Sequence, residues 1–243
     1  MGTRLNRKKE IVAVSLPSLI FGIIFAFSNF VVLPLAVKKS DANPYLIAQL
    51  VNTVLVFIPI FITALIYLKC EDPQWNWVAI KKRIELRQIE GKQLLLMVGT
   101  LLAAILLIII FAIAIEFLPL PFGMEEIESI SPIELRPLEG REFYFLLLLP
   151  IGFFFNFVGE ELLWRGILYK RQVMLFGKWS WIVNGMLHAV FHLYMGWMAI
   201  LLLPIFLAIA YTYHKTRNLW IVIIMHALVG APVDILLILG IVG

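Results

Sequence analysis

Seven side chains able to carry charge or move protons sit inside stretches that are otherwise apolar: Glu160, Glu161, Arg165, His188, His192, His226 and Asp234. Glu161 and Arg165 are four residues apart, so on a helix they share a face and can pair. Glu160 is turned about 100° from Glu161, and the residue four further on is Trp164, so any partner has to come from another helix. A desolvated carboxylate of this kind can serve as a general base or acid. His188 and His192 are also four apart, in "HAVFH", and His226 lies in a separate apolar run. Histidines within reach of a buried glutamate offer proton transfer, a hydrogen bond to a developing oxyanion, or metal ligation. Each residue also has a plainer reading. The Glu161–Arg165 pair could be a packing device, and a lone intramembrane histidine a hydrogen-bonded core residue. Asp234 could be a cap or a bundle-facing polar group. His214, beside Lys215 and Arg217, reads as interfacial.

The elements that must position these residues are membrane helices. The chain of 243 residues is 62% hydrophobic and 15% charged, with a single cysteine, Cys70. Its apolar runs are continuous and long enough for α-helical spans, not alternating as in a β-barrel. The single cysteine excludes an internal disulfide and a thiolate zinc site. The expected fold is all-α, a polytopic transmembrane helical bundle of about seven to eight spans. The runs lie near 11–37, 45–69, 93–118, 143–160 with the helix continuing towards Tyr169, 179–197, 198–213 and 219–240. Residues 179–213 leave room for a re-entrant or broken helix, and Pro150 predicts a kink. The run 11–37 is too long for a signal-peptide core and reads as a retained anchor. No repeat or second domain is evident. Residues 1–142 form the N-terminal spans, with a basic surface segment at 70–92 and an outer acidic loop at 119–142. Residues 143–243 form the polar-cored part of one membrane domain. Lysine and arginine concentrate in the segments that a cytoplasmic N-terminus would place inside, and only Lys38, Lys39, Arg136 and Arg141 fall outside. That bias fits a prokaryotic plasma membrane.

The pattern E-E-x-x-x-R, here "EELLWR" at 160–165, followed by one helix with a histidine and then a second, resembles the CPBP intramembrane proteases. That family includes type II CAAX prenyl proteases and relatives linked to bacteriocin processing and immunity. The likeness covers roughly 145–235. It implies that Glu160 activates the attacking water and that Glu161 and Arg165 hold the helix. His192 would be the histidine of the F-x-x-x-H motif, helping to bind the water. His226 would be that of H-x-x-x-N/D, stabilising the oxyanion. Two positions depart from the pattern. His188 stands where the phenylalanine is expected, and Gly230 where the Asn or Asp is expected; Asp234 or Asn184 are candidate substitutes. A zinc ion held by Glu160, His192 and His226 is one option, and a metal-free glutamate mechanism is the other.

The implied function is an intramembrane endopeptidase acting on membrane-anchored or lipidated protein or peptide substrates in the lipid bilayer, with no nucleic-acid partner. The alternatives are a non-enzymatic binding or immunity protein, favoured by Gly230, and a small proton-coupled carrier. The carrier lacks support from any internal repeat.

Overall fold

The computed structural model describes residues 7–71, 75–117 and 133–241, which hold helices and no strand. Most of the expected outer loop at 119–142 lies outside these residues. Helix α1 is Arg7–Lys38 and α2 is Pro44–Glu71. Asn43 caps α2 by accepting from the Tyr45 amide at 2.9 Å. A short helix α3, Trp77–Arg83, is capped by Asn76 and occupies the expected surface segment. Helix α4 is Gly91–Phe117. Its Leu95, Leu102 and Leu106 are exposed, as suits a helix facing lipid.

A 3₁₀ turn, Gly140–Leu147, leads at a 44° bend into the long helix α5, residues 149–176. Pro150 sits at the start of α5, where the bend was expected. The helix runs past Tyr169 and ends at Gly177, whose φ of 54° no longer propagates it. Then come α6 (Ser180–Phe191), α7 (Trp197–Leu201), α8 (Leu203–Thr216) and α9 (Leu219–Ile238).

Among the described residues four helices are long and apolar enough to cross a membrane: α1, α2, α4 and α9. The bent pair ending in α5–α6, counted as one span, makes five. The chain is an integral membrane protein. The expected count of seven to eight spans is not confirmed, because α6 and α8 have 12 and 14 residues. At 1.5 Å per residue they extend roughly 18 and 21 Å, short of a hydrocarbon core of about 30 Å. They form a hairpin whose connection exposes Leu193, Trp197 and Ile200. Its two ends meet at Tyr169, whose hydroxyl bonds Ser180 at the start of α6 and His214 near the end of α8. The legs touch at Gly185, where a Cβ would fall 2.8 Å from a Leu207 methyl and 3.0 Å from its Cα. Gly196, at φ 56°, lies in the turn.

The basic residues gather at the Tyr169 end. Arg83 and Arg171 reach Glu71, and Arg217 approaches Glu85. At the opposite end Asn43 donates to the Pro137 carbonyl, and the Leu138 amide donates to the Ile238 carbonyl.

Candidate active site

Helix α5 changes its winding where the charges sit. Phe154–Val158 and Leu162–Leu168 are π-helical, and a single α-turn, Gly159–Glu161, lies between them. Such bulges free carbonyls and re-aim side chains, and they recur at functional sites. One loosened carbonyl, that of Gly166, is taken by Arg83 Nη1 at 2.8 Å. Gly159 lets α5 lie close on α2, since a Cβ there would be 3.3 Å from Phe61.

Glu160, Glu161, Arg165 and His188 are all buried, and they form one hydrogen-bonded chain with His226. Arg165 Nη1 donates to Glu161 Oε1 at 3.0 Å, as the spacing predicts. The same Nη1 lies 2.9 Å from His188 Nδ1. His188 Nε2 lies 2.9 Å from Glu160 Oε2. His226 Nδ1 lies 3.0 Å from Glu161 Oε1. An arginine only donates, so His188 Nδ1 must accept. Its single proton is then on Nε2 and is donated to Glu160. A carboxylate only accepts, so His226 Nδ1 carries a proton and Nε2 is left facing other partners. The chain thus runs His226–Glu161–Arg165–His188–Glu160 across α9, α5 and α6.

His192 ends α6 and takes a different position. Its Nε2 is 3.8 Å from Glu160 Oε2, beyond direct hydrogen-bond length. Among the described residues neither of its ring nitrogens has a partner. Its ring stacks on Phe206 at 4.9 Å, and Phe206 also packs on His188 at 5.0 Å.

Glu160, His188, His192 and His226 open on a cavity of about 330 Å³. Gly230 and Asp234 line it as well. Asn184 does not reach it. That side chain donates to the Trp164 carbonyl at 3.1 Å and to Gln172 Oε1 at 2.8 Å, tying α6 to α5. It is therefore no substitute for the missing Asn or Asp. A side chain at Gly230 would require the Phe157 ring to move, since a Cβ there would come within 2.7 Å of it. Phe157 in turn packs edge-on against His226 at 5.1 Å. The aromatic ring thus occupies the space beside His226.

The polar lining that the sequence reading missed is neutral. Asn156 is one turn before Glu160, and Gln49 and Asn52 come from α2; all three line the cavity. A search for ionisable groups passes over amides. The spacing of Asn156 from Glu160, four residues, was the available signal.

The metal question turns on the donors. The ligand atoms lying within 4.8 Å of one another belong to Glu160, His188 and His192. His226 is not in that group, since neither of its ring nitrogens lies within that distance of all the others. His188 fails as a ligand: Arg165 takes its one lone pair, and its other nitrogen carries the proton given to Glu160. Glu160 and His192 remain, fewer than the three protein ligands of a catalytic zinc site. The residues present do not fit zinc in this arrangement.

Residues 142–231 match the family described as type II CAAX prenyl endopeptidase, Rce1-like. The C-terminal region is similar to that family over those residues. The match supports an intramembrane endopeptidase at the level of the family. It spans α5 to most of α9, and so the whole hydrogen-bonded chain. Comparison with curated proteins and with solved structures finds no match.

Proposed function

We propose that this CAAX-type protein hydrolyses a peptide bond of a membrane-anchored or lipidated substrate, with Glu160 as the general base. One observation carries the reading: a buried carboxylate faces a membrane-embedded cavity, held by the His188 N–H, with His192 a water's width away. A water between Glu160 Oε2 and His192 Nε2, 3.8 Å apart, can bond to both. Glu160 removes its proton as the oxygen attacks the carbonyl carbon. The same carboxyl then passes that proton to the departing amine as the tetrahedral intermediate collapses. His226 can donate from Nε2 to the oxyanion only as the imidazolium, and the Glu161 carboxylate on Nδ1 stabilises that cation. Arg165 positions Glu160 through His188. A site within the bilayer suits substrates that partition there. The clustering of basic residues at the Tyr169 end supports that end, with the N-terminus, as cytoplasmic.

The occupied space at Gly230 favours a second reading, a binding protein that keeps the cluster without turnover. Cleavage separates the two. The protein is reconstituted in liposomes with a membrane-anchored reporter peptide and the products read by mass spectrometry. Cleavage by the wild type, reduced at least about 10²-fold by Glu160→Gln, supports hydrolysis. Intact peptide across a broad panel, with binding retained, supports the second reading.

A further inference from the structure

Asp234 is the second carboxylate of the cavity, and none of the steps above uses it. It lies on α9 eight residues after His226, about 12 Å along the helix. His226, Gly230 and Asp234 all line the same cavity, so the face of α9 is continuous between the two carboxylate ends. Asp234 Oδ1 accepts from Gln49 Nε2 at 2.9 Å, and that nitrogen is also 3.0 Å from the Tyr45 hydroxyl. The carboxylate is therefore held in place from α2. Among the described residues the cavity wall holds Glu160 and Asp234 and no lysine or arginine. Arg165 is sealed behind the wall, fully buried. At the Asp234 end an anion, a free C-terminal carboxylate included, meets no lysine or arginine on the described wall; the His226 imidazolium lies at the other end. A cation meets Asp234, in surroundings of low dielectric where the attraction is strong.

We propose that the Asp234–Gln49 end is a subsite for a cationic group of the substrate, a lysine or arginine side chain or a free amine. An extended peptide advances about 3.3 Å per residue, so about 12 Å from His226, which faces the carbonyl of the bond being cut, places that group three to four residues from that bond. The assignment rests on the endopeptidase reading, because that reading puts the scissile bond at the Glu160 end.

Binding tests the subsite without catalysis. The Glu160→Gln protein in nanodiscs is titrated with membrane-anchored peptides identical except for Lys, Gln or Glu. The varied position is three and then four residues to either side of the bond. The Lys peptide should bind about tenfold or more tighter than the Glu peptide. Adding Asp234→Asn should bring the two within about twofold. That substitution removes the charge and keeps an oxygen for Gln49, so the fold is retained. Asp234→Ala, compared by thermal unfolding, reports what the Gln49 contact contributes to stability. Equal binding of the Lys and Glu peptides, or a preference that survives Asp234→Asn, overturns the proposal. Wild-type cleavage of the same peptides separates the two readings. A binding preference with no cleavage leaves the subsite standing and removes the endopeptidase; cleavage without preference does the reverse.

Discussion

Helices α1 and α2 meet through neutral groups. Ser28 donates to Asn52 Oδ1 at 2.8 Å, and Asn29 donates to the Phe25 carbonyl at 3.0 Å and to Asn52 at 3.3 Å. Helices α5, α6 and α9 meet through charges, linked from His226 to Glu160. The difference teaches what each junction is for. Amide and hydroxyl bonds between membrane helices contribute little each, about 0.6 kcal/mol on average, and can be lost singly. A buried charge cannot, because the partner left behind is desolvated and unpaired. The charged junction has to stay complete to exist at all, which suits a site that must present one carboxylate in one orientation. Stability alone would be served as well by apolar packing of the same volume.

Removing Arg165 should show this contrast most strongly. Arg165→Met leaves the buried Glu161 carboxylate with His226 Nδ1 alone and frees His188 Nδ1. It should destabilise the fold by about 3–5 kcal/mol, read by thermal unfolding in detergent, and abolish cleavage. Restoring the phenylalanine of the family pattern comes next. His188→Phe keeps the ring volume but removes the donor to Glu160, and a roughly 10- to 100-fold loss of cleavage is expected, in line with the loss of one charge-assisted bond. With four histidines in the chain, ¹⁵N NMR of the wild type can check the tautomer itself. His188 should show a protonated Nε2 and a bare Nδ1. Gly230→Asn should cost about 1–3 kcal/mol through collision with Phe157, and a second change, Phe157→Ala, should relieve part of that. The smallest effect belongs to the neutral junction. Ser28→Ala should lower stability by about 1 kcal/mol or less and change cleavage under twofold. A large loss of activity there would erase the distinction between the two regions.

Much of the charged junction was legible in the sequence. The spacing of Glu161 and Arg165 is a helix-face rule, and it held within a π-helical stretch at 3.0 Å. Glu160 does take its partner from another helix. Which histidine that is could not be read from spacing, since His188 and His192 share a face and only the rotation of α6 against α5 decides. His188 wins because it lies within the last turn of α6, beside Arg165, while His192 is the residue that ends the helix one turn on. The span count was not legible for a similar reason. Hydropathy sees the apolar content of 179–213 and not the turn around Gly196 that divides it into two short legs. The space at Gly230 is likewise a tertiary fact, set by Phe157 on α5, and no property of α9 alone announces it.

The most direct test of Glu160 as a base is a single turnover in H₂¹⁸O, with excess enzyme over a membrane-anchored peptide and both partners analysed by mass spectrometry. Direct attack by the water that Glu160 deprotonates predicts one ¹⁸O in the new C-terminal carboxylate of the product and none in the peptide carrying Glu160. Label appearing in the Glu160 side chain, or full-rate cleavage by Glu160→Gln under the same conditions, would contradict it.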